Sequence, residues 1–135
     1  MKKDIKAIKV TDVAIAIVPR SDEKTGQDLW DTYLINLRDE VLENVIISSK
    51  GYGQLDGREK VTTTLRHFFD SVPPQSAVQV EPIQRELFEL ANEYWVSFNL
   101  GKDMLDKKFV FVAGSITKDF LRKLPVLDKP GVMIV

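Results

Sequence analysis

The chain has one histidine, His67, and no cysteine, which limits the chemistry that its side chains could support. Histidine-based metal sites usually combine two or three imidazoles, or add carboxylates at fixed spacing, and no HExxH or similar pattern accompanies His67. A serine nucleophile would be expected within GxSxG, and Gly114-Ser115 lacks that frame. We therefore expect a structural or surface role for His67. The sequence predicts no catalytic site, cofactor or metal.

Residues 49–53 (SKGYG) are rich in glycine, carry a lysine and could be considered as a phosphate site. They depart from the pattern GxxxxGK[ST], and no predicted helix follows to direct its amino terminus at a phosphate. A strand end or bulge is the better interpretation. The acidic pairs Asp22/Glu23 and Asp39/Glu40 lie in polar, turn-like segments. Adjacent side chains of an extended chain point apart, so neither pair is a good acid–base couple.

Basic and aromatic residues cluster around a predicted hairpin over residues 51–64. The four residues that could share one end or face of it are Lys50, Tyr52, Arg58 and Arg66. Basic side chains interleaved with exposed aromatic rings are typical of surfaces that bind single-stranded nucleic acid. Asp56 and Glu59 lie in the same hairpin and weigh against this use. We treat the four residues as a candidate interaction surface.

The chain ends in an apolar run, residues 131–135. Burying one Val or Ile side chain is worth about 1.5–3 kcal/mol, so the run is not expected to stay in water. Two interpretations remain open: it pairs as a strand of its own domain, or it adds to the sheet edge of a second copy or a partner. Val132, Met133 and Ile134 therefore join the candidate interaction surface.

Alternation of apolar and polar residues predicts strands along most of the chain. Within residues 8–18, Val13, Ile15 and Ile17 share one face and Ala14, Ala16 and Val18 the other, which predicts a strand covered on both faces. Further strands are predicted over 30–37, 44–49, 61–69, 77–83, 93–100, 104–112 and 132–135. Short helices are predicted over 85–90 and 117–124, with Thr117 as the N-cap of the second.

Length and composition indicate one soluble, folded domain over residues 1–135, with 44% hydrophobic and 29% charged residues. Nineteen basic and twenty acidic residues give a net charge of −1, which argues against a protein built to coat nucleic acid or a membrane. Short strands at regular spacing predict an all-β fold, a single antiparallel β-sandwich of about seven to nine strands with one or two short helices.

The best apolar stretch, residues 13–18, is too short for a signal peptide, which needs about 7–15 apolar residues, or for a membrane span of about 20. Because the chain also lacks cysteine, we expect a cytoplasmic location in a bacterial cell and no membrane partner.

Two local patterns resemble parts of immunoglobulin-like sandwich modules. They are YLIN at 33–36 followed by LENVII at 42–47, and FDSVPPQS at 69–76 running into Val78 and Val80. The cysteine pair of antibody domains is absent, so the resemblance is to cysteine-free modules. It implies an immunoglobulin-like sandwich in which Trp30 or Trp95 fills the central core position.

The whole chain also resembles a small family of uncharacterised bacterial proteins. The segments that carry this resemblance are WDTYLIN at 30–36, SKGYG at 49–53, TLRHFF at 64–69 and NEYWVSF at 92–98. Some members are labelled as a phenylalanyl-tRNA synthetase subunit, so the resemblance implies an accessory role connected with that enzyme or with tRNA. It brings no catalytic residue to this chain.

Three functions follow from these observations. The leading hypothesis is a non-enzymatic protein-interaction or scaffold module that binds a protein partner or a second copy through its loops or an exposed sheet edge. The second is a tRNA- or RNA-binding accessory protein with the basic hairpin as its footprint. The third is a small-ligand or sugar-binding module with Trp30, Tyr52 or Trp95 as a stacking platform.

Overall fold

The computed structural model describes residues 9–21 and 28–135, which form two antiparallel sheets. The Asp22/Glu23 pair lies outside the described residues. The strands are β1 (Val13–Ser21), β2 (Asp28–Asn36), β3 (Leu42–Leu55), β4 (Arg58–Val61), β5 (Leu65–Val72), β6 (Ser76–Ile83), β7 (Ala91–Leu100), β8 (Asp103–Phe111), β9 (Arg122–Lys123) and β10 (Pro130–Ile134).

The first sheet has the order β6-β2-β1-β10-β9, and the second has the order β4-β3-β7-β8 with β5 also paired to β3. Side chains from both sheets form one apolar cluster between them, including Ile15 and Leu34 of the first sheet and Ile47, Val96 and Phe109 of the second. The predicted all-β fold with two antiparallel sheets is therefore confirmed.

The number of strands was predicted too low, because ten are present in the described residues. The strand predicted over 61–69 is divided: β4 ends at Val61 and β5 begins at Leu65. At the break, the Gly51 amide donates a hydrogen bond to the Thr62 hydroxyl at 2.7 Å. A side-chain oxygen thus replaces the backbone carbonyl that would accept this bond in a continuous strand pair. The other extra strand, β9, has two residues, too few for alternation to reveal.

Both predicted helical segments are short 3₁₀ helices, Arg85–Glu89 and Lys118–Phe120. Thr117 caps the second of these helices as expected, because its hydroxyl accepts a hydrogen bond from the Asp119 amide at 3.4 Å. That helix ends earlier than predicted, because the chain straightens so that Arg122 and Lys123 can pair with β10. No helix within the described ranges is long and apolar enough to cross a membrane.

Strand β1 is covered on both faces, as its sequence predicts. Val13, Ile15 and Ile17 belong to the core between the sheets, whereas Ala14, Ala16 and Val18 belong to a second apolar cluster on the outside of the first sheet. Leu124 and Leu127 pack into that second cluster. Gly131 permits the approach, because a Cβ there would lie 2.6 Å from Leu124 Cδ1. The chain's own C-terminal region thus covers this face.

The apolar C-terminal run forms β10 of its own domain. Val132 pairs with Ile17, Met133 with Ala16 and Ile134 with Ile15. Val132 is buried, and the next two residues are half-buried. Strand β9 pairs only with Pro130 and Gly131 on the other side, so the edge from Val132 onward has no neighbouring strand in the described part of the chain.

Candidate functional site

The outward-facing side of the second sheet is apolar at its centre. In β7, Tyr94, Val96 and Phe98 point into the core, and alternation therefore turns Trp95 and Ser97 to the outside. Trp95 is 46% exposed, and Ile46 of β3 and Phe68 of β5 are 42% and 58% exposed. Three large apolar side chains on three neighbouring strands are thus open to solvent.

Strand register places these side chains in two adjacent rows that run across the sheet. The first row is Phe68, Ile46, Ser97 and Asp106, and the second row is Arg66, Ser48, Trp95 and Lys108. We call these the Phe68 row and the Trp95 row, and together they form what we call the outer face. It is an apolar centre with charged residues on both sides.

The indole of Trp95 is held by its neighbours on β8. Its Nε1 donates to Asp106 Oδ2 at 3.1 Å, and Lys108 Nζ lies 5.2 Å from the ring centroid. Lys108 Nζ is also 4.0 Å from Glu93 Oε1. An aromatic ring that is already positioned loses little conformational freedom on binding, which favours a role as a recognition residue.

Three of the four predicted basic-hairpin residues, Lys50, Tyr52 and Arg66, lie on this side of the sheet. Lys50 Nζ is 5.9 Å from the Tyr52 ring centroid, and the Tyr52 hydroxyl donates to Glu93 Oε1 at 3.3 Å. Desolvation, followed by the charge and hydrogen bond of Glu93, raises the pKa of Tyr52 above its ordinary value. The structure therefore adds an acid, Glu93, to the predicted footprint.

Arg58, the fourth residue of the predicted set, does not point to this face. Tyr52 pairs with Val61, whereas Leu55 pairs with Arg58. Residues paired across an antiparallel ladder point to the same side, and Leu55 lies three positions after Tyr52, so those two side chains point to opposite sides. Arg58 therefore points to the opposite side of the hairpin from Tyr52.

His67 takes part in a polar cluster that joins the two sheets. His67 Nε2 lies 2.6 Å from Glu81 Oε1, and Ser49 Oγ donates to the same carboxylate at 2.9 and 3.1 Å. Glu81 belongs to β6 of the first sheet, and the other two residues belong to the second. The carboxylate lies between serine and imidazole, whereas a nucleophilic triad needs the imidazole between serine and acid. This cluster joins the sheets and does not activate Ser49.

A cavity of about 480 Å³ adjoins the polar cluster. Its wall includes Ser49, Gly51, Glu81, Asn92 and Tyr94. Tyr94 is 1% exposed, and its hydroxyl lies 3.0 Å from Thr32 Oγ1. Burial raises the pKa of Tyr94, a change that the Thr32 hydrogen bond opposes and the Glu81 charge reinforces. The wall therefore offers a phenol that stays neutral at neutral pH, beside the hydrogen-bonded side chain of Glu81.

The remaining predicted site residues lie elsewhere. Val132, Met133 and Ile134 line a groove of about 380 Å³ between β10 and β8, which contains no residue of the Phe68 row or the Trp95 row. Trp30 is buried with its ring against Phe88, edge to face at 5.0 Å, so it is the tryptophan that occupies the core. The structure therefore does not gather all seven predicted residues into one surface.

Sequence reasoning missed Ile46, Phe68, Asp106 and Lys108 as members of one surface. The available signal was alternation along β7, which puts the side chains of Trp95, Ser97 and Asn99 on one face of the sheet and the buried apolar side chains on the other. The same signal sets Phe68 with Arg66 on β5.

Comparisons of the chain with protein-family models, with curated proteins and with solved structures found no match.

Proposed function

We propose that the chain is a non-enzymatic protein-interaction module that binds its partner through the outer face. The observation that carries this proposal is a contrast between the two sheets. The outside of the first sheet is packed against Leu124 and Leu127, whereas the outside of the second leaves Ile46, Phe68 and Trp95 exposed side by side. Contiguous exposed apolar groups with a polar rim mark interaction sites on soluble proteins.

The composition of the outer face supports a protein partner. Tryptophan and arginine are enriched among the residues that contribute most to protein–protein binding, and aromatic residues are enriched at the centres of interfaces. Trp95 lies near the centre of the face, with Arg66, Asp106 and Lys108 around it. Charges at the rim set register and exclude wrong partners.

The tRNA or RNA alternative has less support. Lys50, Arg66 and Lys108 would supply phosphate contacts, but Glu93 and Asp106 lie among them. Single-stranded nucleic acids are bound by grooves of one charge sign lined with aromatic rings. Mixed charge suits a protein surface better, and nucleic acid is therefore treated as an outcome of the test below.

The small-ligand alternative is supported by the inter-sheet cavity and less by the predicted stacking platform. Trp30 lies in the core, and Tyr52 and Trp95 lie on the outside of the second sheet. The cavity beside Glu81 would favour a small polar molecule, since hydroxyl, amide and carboxylate groups line it.

The immunoglobulin-like assignment belongs to this proposal, as does the cytoplasmic location. In immunoglobulin domains the second and fifth strands pair in one sheet, and the third, sixth and seventh form the other. Leaving aside the short hairpin strand β4, β2 pairs with β6, and β3, β7 and β8 are neighbours in the second sheet. The strand order thus supports the resemblance seen in the sequence.

Site-specific photo-crosslinking in the cells that produce the protein tests the proposed function. Benzoylphenylalanine would replace Phe68 on the outer face and, as a matched control, Phe120, which is 59% exposed and lies elsewhere. We expect protein adducts from position 68 and not from position 120. Adducts that contain nucleic acid, equal protein adducts from both positions, or none at position 68 would overturn the proposal.

Reconstitution completes the test. The protein identified in the adduct should bind the purified chain, and Trp95→Ala should raise the dissociation constant by about 30-fold, as expected for a central interface residue. An unchanged dissociation constant would mean that the partner binds at another surface.

A further inference from the structure

We infer that the protein recognised by the outer face is a second copy of this chain, related to the first by a two-fold axis that lies in the plane of the face. This inference rests on the proposed function and adds the identity of the partner. It follows from the order of residues in the Phe68 row and the Trp95 row, which are complementary to each other.

The axis that we infer runs across the strands, midway between the two rows. Rotation about it places each strand over the same strand of the second copy and exchanges the rows. Phe68 then faces Arg66, Ile46 faces Ser48, Ser97 faces Trp95 and Asp106 faces Lys108, each pair being formed twice.

Each of these facing pairs is favourable. Asp106 and Lys108 carry opposite charges, and a guanidinium such as that of Arg66 is attracted to the face of a phenyl ring. The large indole of Trp95 meets Ser97, a small residue that leaves room for it. Interfaces of this kind combine a desolvated aromatic centre with charge pairs at the rim.

The next rows outward agree with the same axis. Met104, which is 77% exposed, would meet Val110, and Asn99 would meet Glu93. The first contact covers exposed apolar surface, and the second pairs an amide with a carboxylate. The axis therefore brings no like charges together in these rows.

A two-fold axis parallel to the strands gives a worse match. It would place β5 over β8 and leave the rows in order, so that Arg66 would face Lys108 and Phe68 would face Asp106. Juxtaposed like charges at an interface cost several kcal/mol. Charge complementarity therefore selects the axis across the strands.

The size and packing of the face suit a dimer. Four strands spaced about 4.8 Å apart and four rows about 6.8 Å apart give roughly 500 Å² in projection. Accessible area exceeds projected area because side chains stand out from the sheet, which brings the face near the roughly 800 Å² per partner of a standard interface. The axis also keeps the strands of the two copies aligned, as in face-to-face sheet packing.

Sedimentation velocity of the purified full chain over a concentration series tests the inference. We expect a monomer–dimer equilibrium in which Asp106→Lys and Lys108→Asp each raise the dissociation constant by about tenfold or more. An equimolar mixture of the two variants should recover the dimer, because the introduced lysine of one chain then faces the introduced aspartate of the other. Asp103→Lys, the same charge change on the opposite side of β8, should leave the dimer unchanged.

Circular dichroism and the thermal midpoint would establish that each variant is folded. A wild-type chain that stays monomeric, or a dimer that survives both single charge changes, would overturn the inference. A monomeric chain whose position 68 still crosslinks to a different protein would remove self-association and leave the proposed function intact. Absence of any protein adduct at position 68 would remove the proposed function itself.

Discussion

The buried hydrogen bond between Tyr94 and Thr32 gives a sharp prediction, because it joins β7 of one sheet to β2 of the other. The two hydroxyl oxygens are 3.0 Å apart, and Tyr94 and Thr32 are 1% and 0% exposed. Tyr94 directly precedes Trp95 in β7, so this bond also helps to hold the strand that presents the outer face. The change to be made is removal of one hydroxyl or both, by Tyr94→Phe and Thr32→Val.

Removing both hydroxyls should cost less than the sum of the two single removals. Either single change leaves a buried hydroxyl without its partner, at a cost of about 1–3 kcal/mol in unfolding free energy. The double change leaves no unpaired hydroxyl, so its cost should fall below the sum of the two by about 1–2 kcal/mol. The ring of Tyr94, edge to face with Phe111 at 6.0 Å, is kept in Tyr94→Phe.

Urea denaturation of the four proteins measures these free energies, provided that the denaturant slope stays constant across the set. Costs that simply add in the double variant, or single changes that leave stability unaltered, would refute the hydrogen bond between the sheets.

Three further predictions concern stability and are measured by urea or thermal denaturation. Gly131→Ala should cost about 1–3 kcal/mol, because its Cβ would lie 2.6 Å from Leu124 Cδ1, and a chain of unchanged stability would contradict that packing. Trp30→Ala should cost about 3–5 kcal/mol and Trp95→Ala clearly less, since Trp30 is buried whereas Trp95 is 46% exposed; equal costs would contradict the assignment of core and surface. Burial raises the pKa of Tyr94 in the folded chain, so the unfolding free energy that this phenol contributes should be complete below about pH 10 and decline as pH rises further. Tyr94→Phe should flatten that decline in stability. An identical decline in both proteins would contradict the raised pKa.

Local alternation predicted much of the fold, because a period of two depends only on neighbours along the chain. It set the two apolar faces of β1, both of which are covered, but it left open whether Trp30 or Trp95 occupies the core. Composition and turn residues then sufficed for the all-β class.

The candidate site could not be predicted from the sequence, because it depends on pairing between distant segments. The rows of the outer face arise from the register of β3 with β5 and β7, which alternation within one strand does not determine. The carboxylate partner of His67, Glu81, comes from the other sheet. Arg58 was misplaced because the pairing across its hairpin, not its distance in sequence, sets its side.

Hydroxyl-radical footprinting of Trp95 in the producing cells tests the central claim, that a protein covers the outer face. The reference is the purified chain at high dilution, and Phe120 serves as an exposed control outside the face. The account predicts that Trp95 is oxidised severalfold less in cells than in the dilute purified chain. The same low oxidation is expected in a lysate treated with nuclease before footprinting, whereas Phe120 is oxidised equally in all samples. Equal oxidation of Trp95 in cells and in the dilute chain would contradict it.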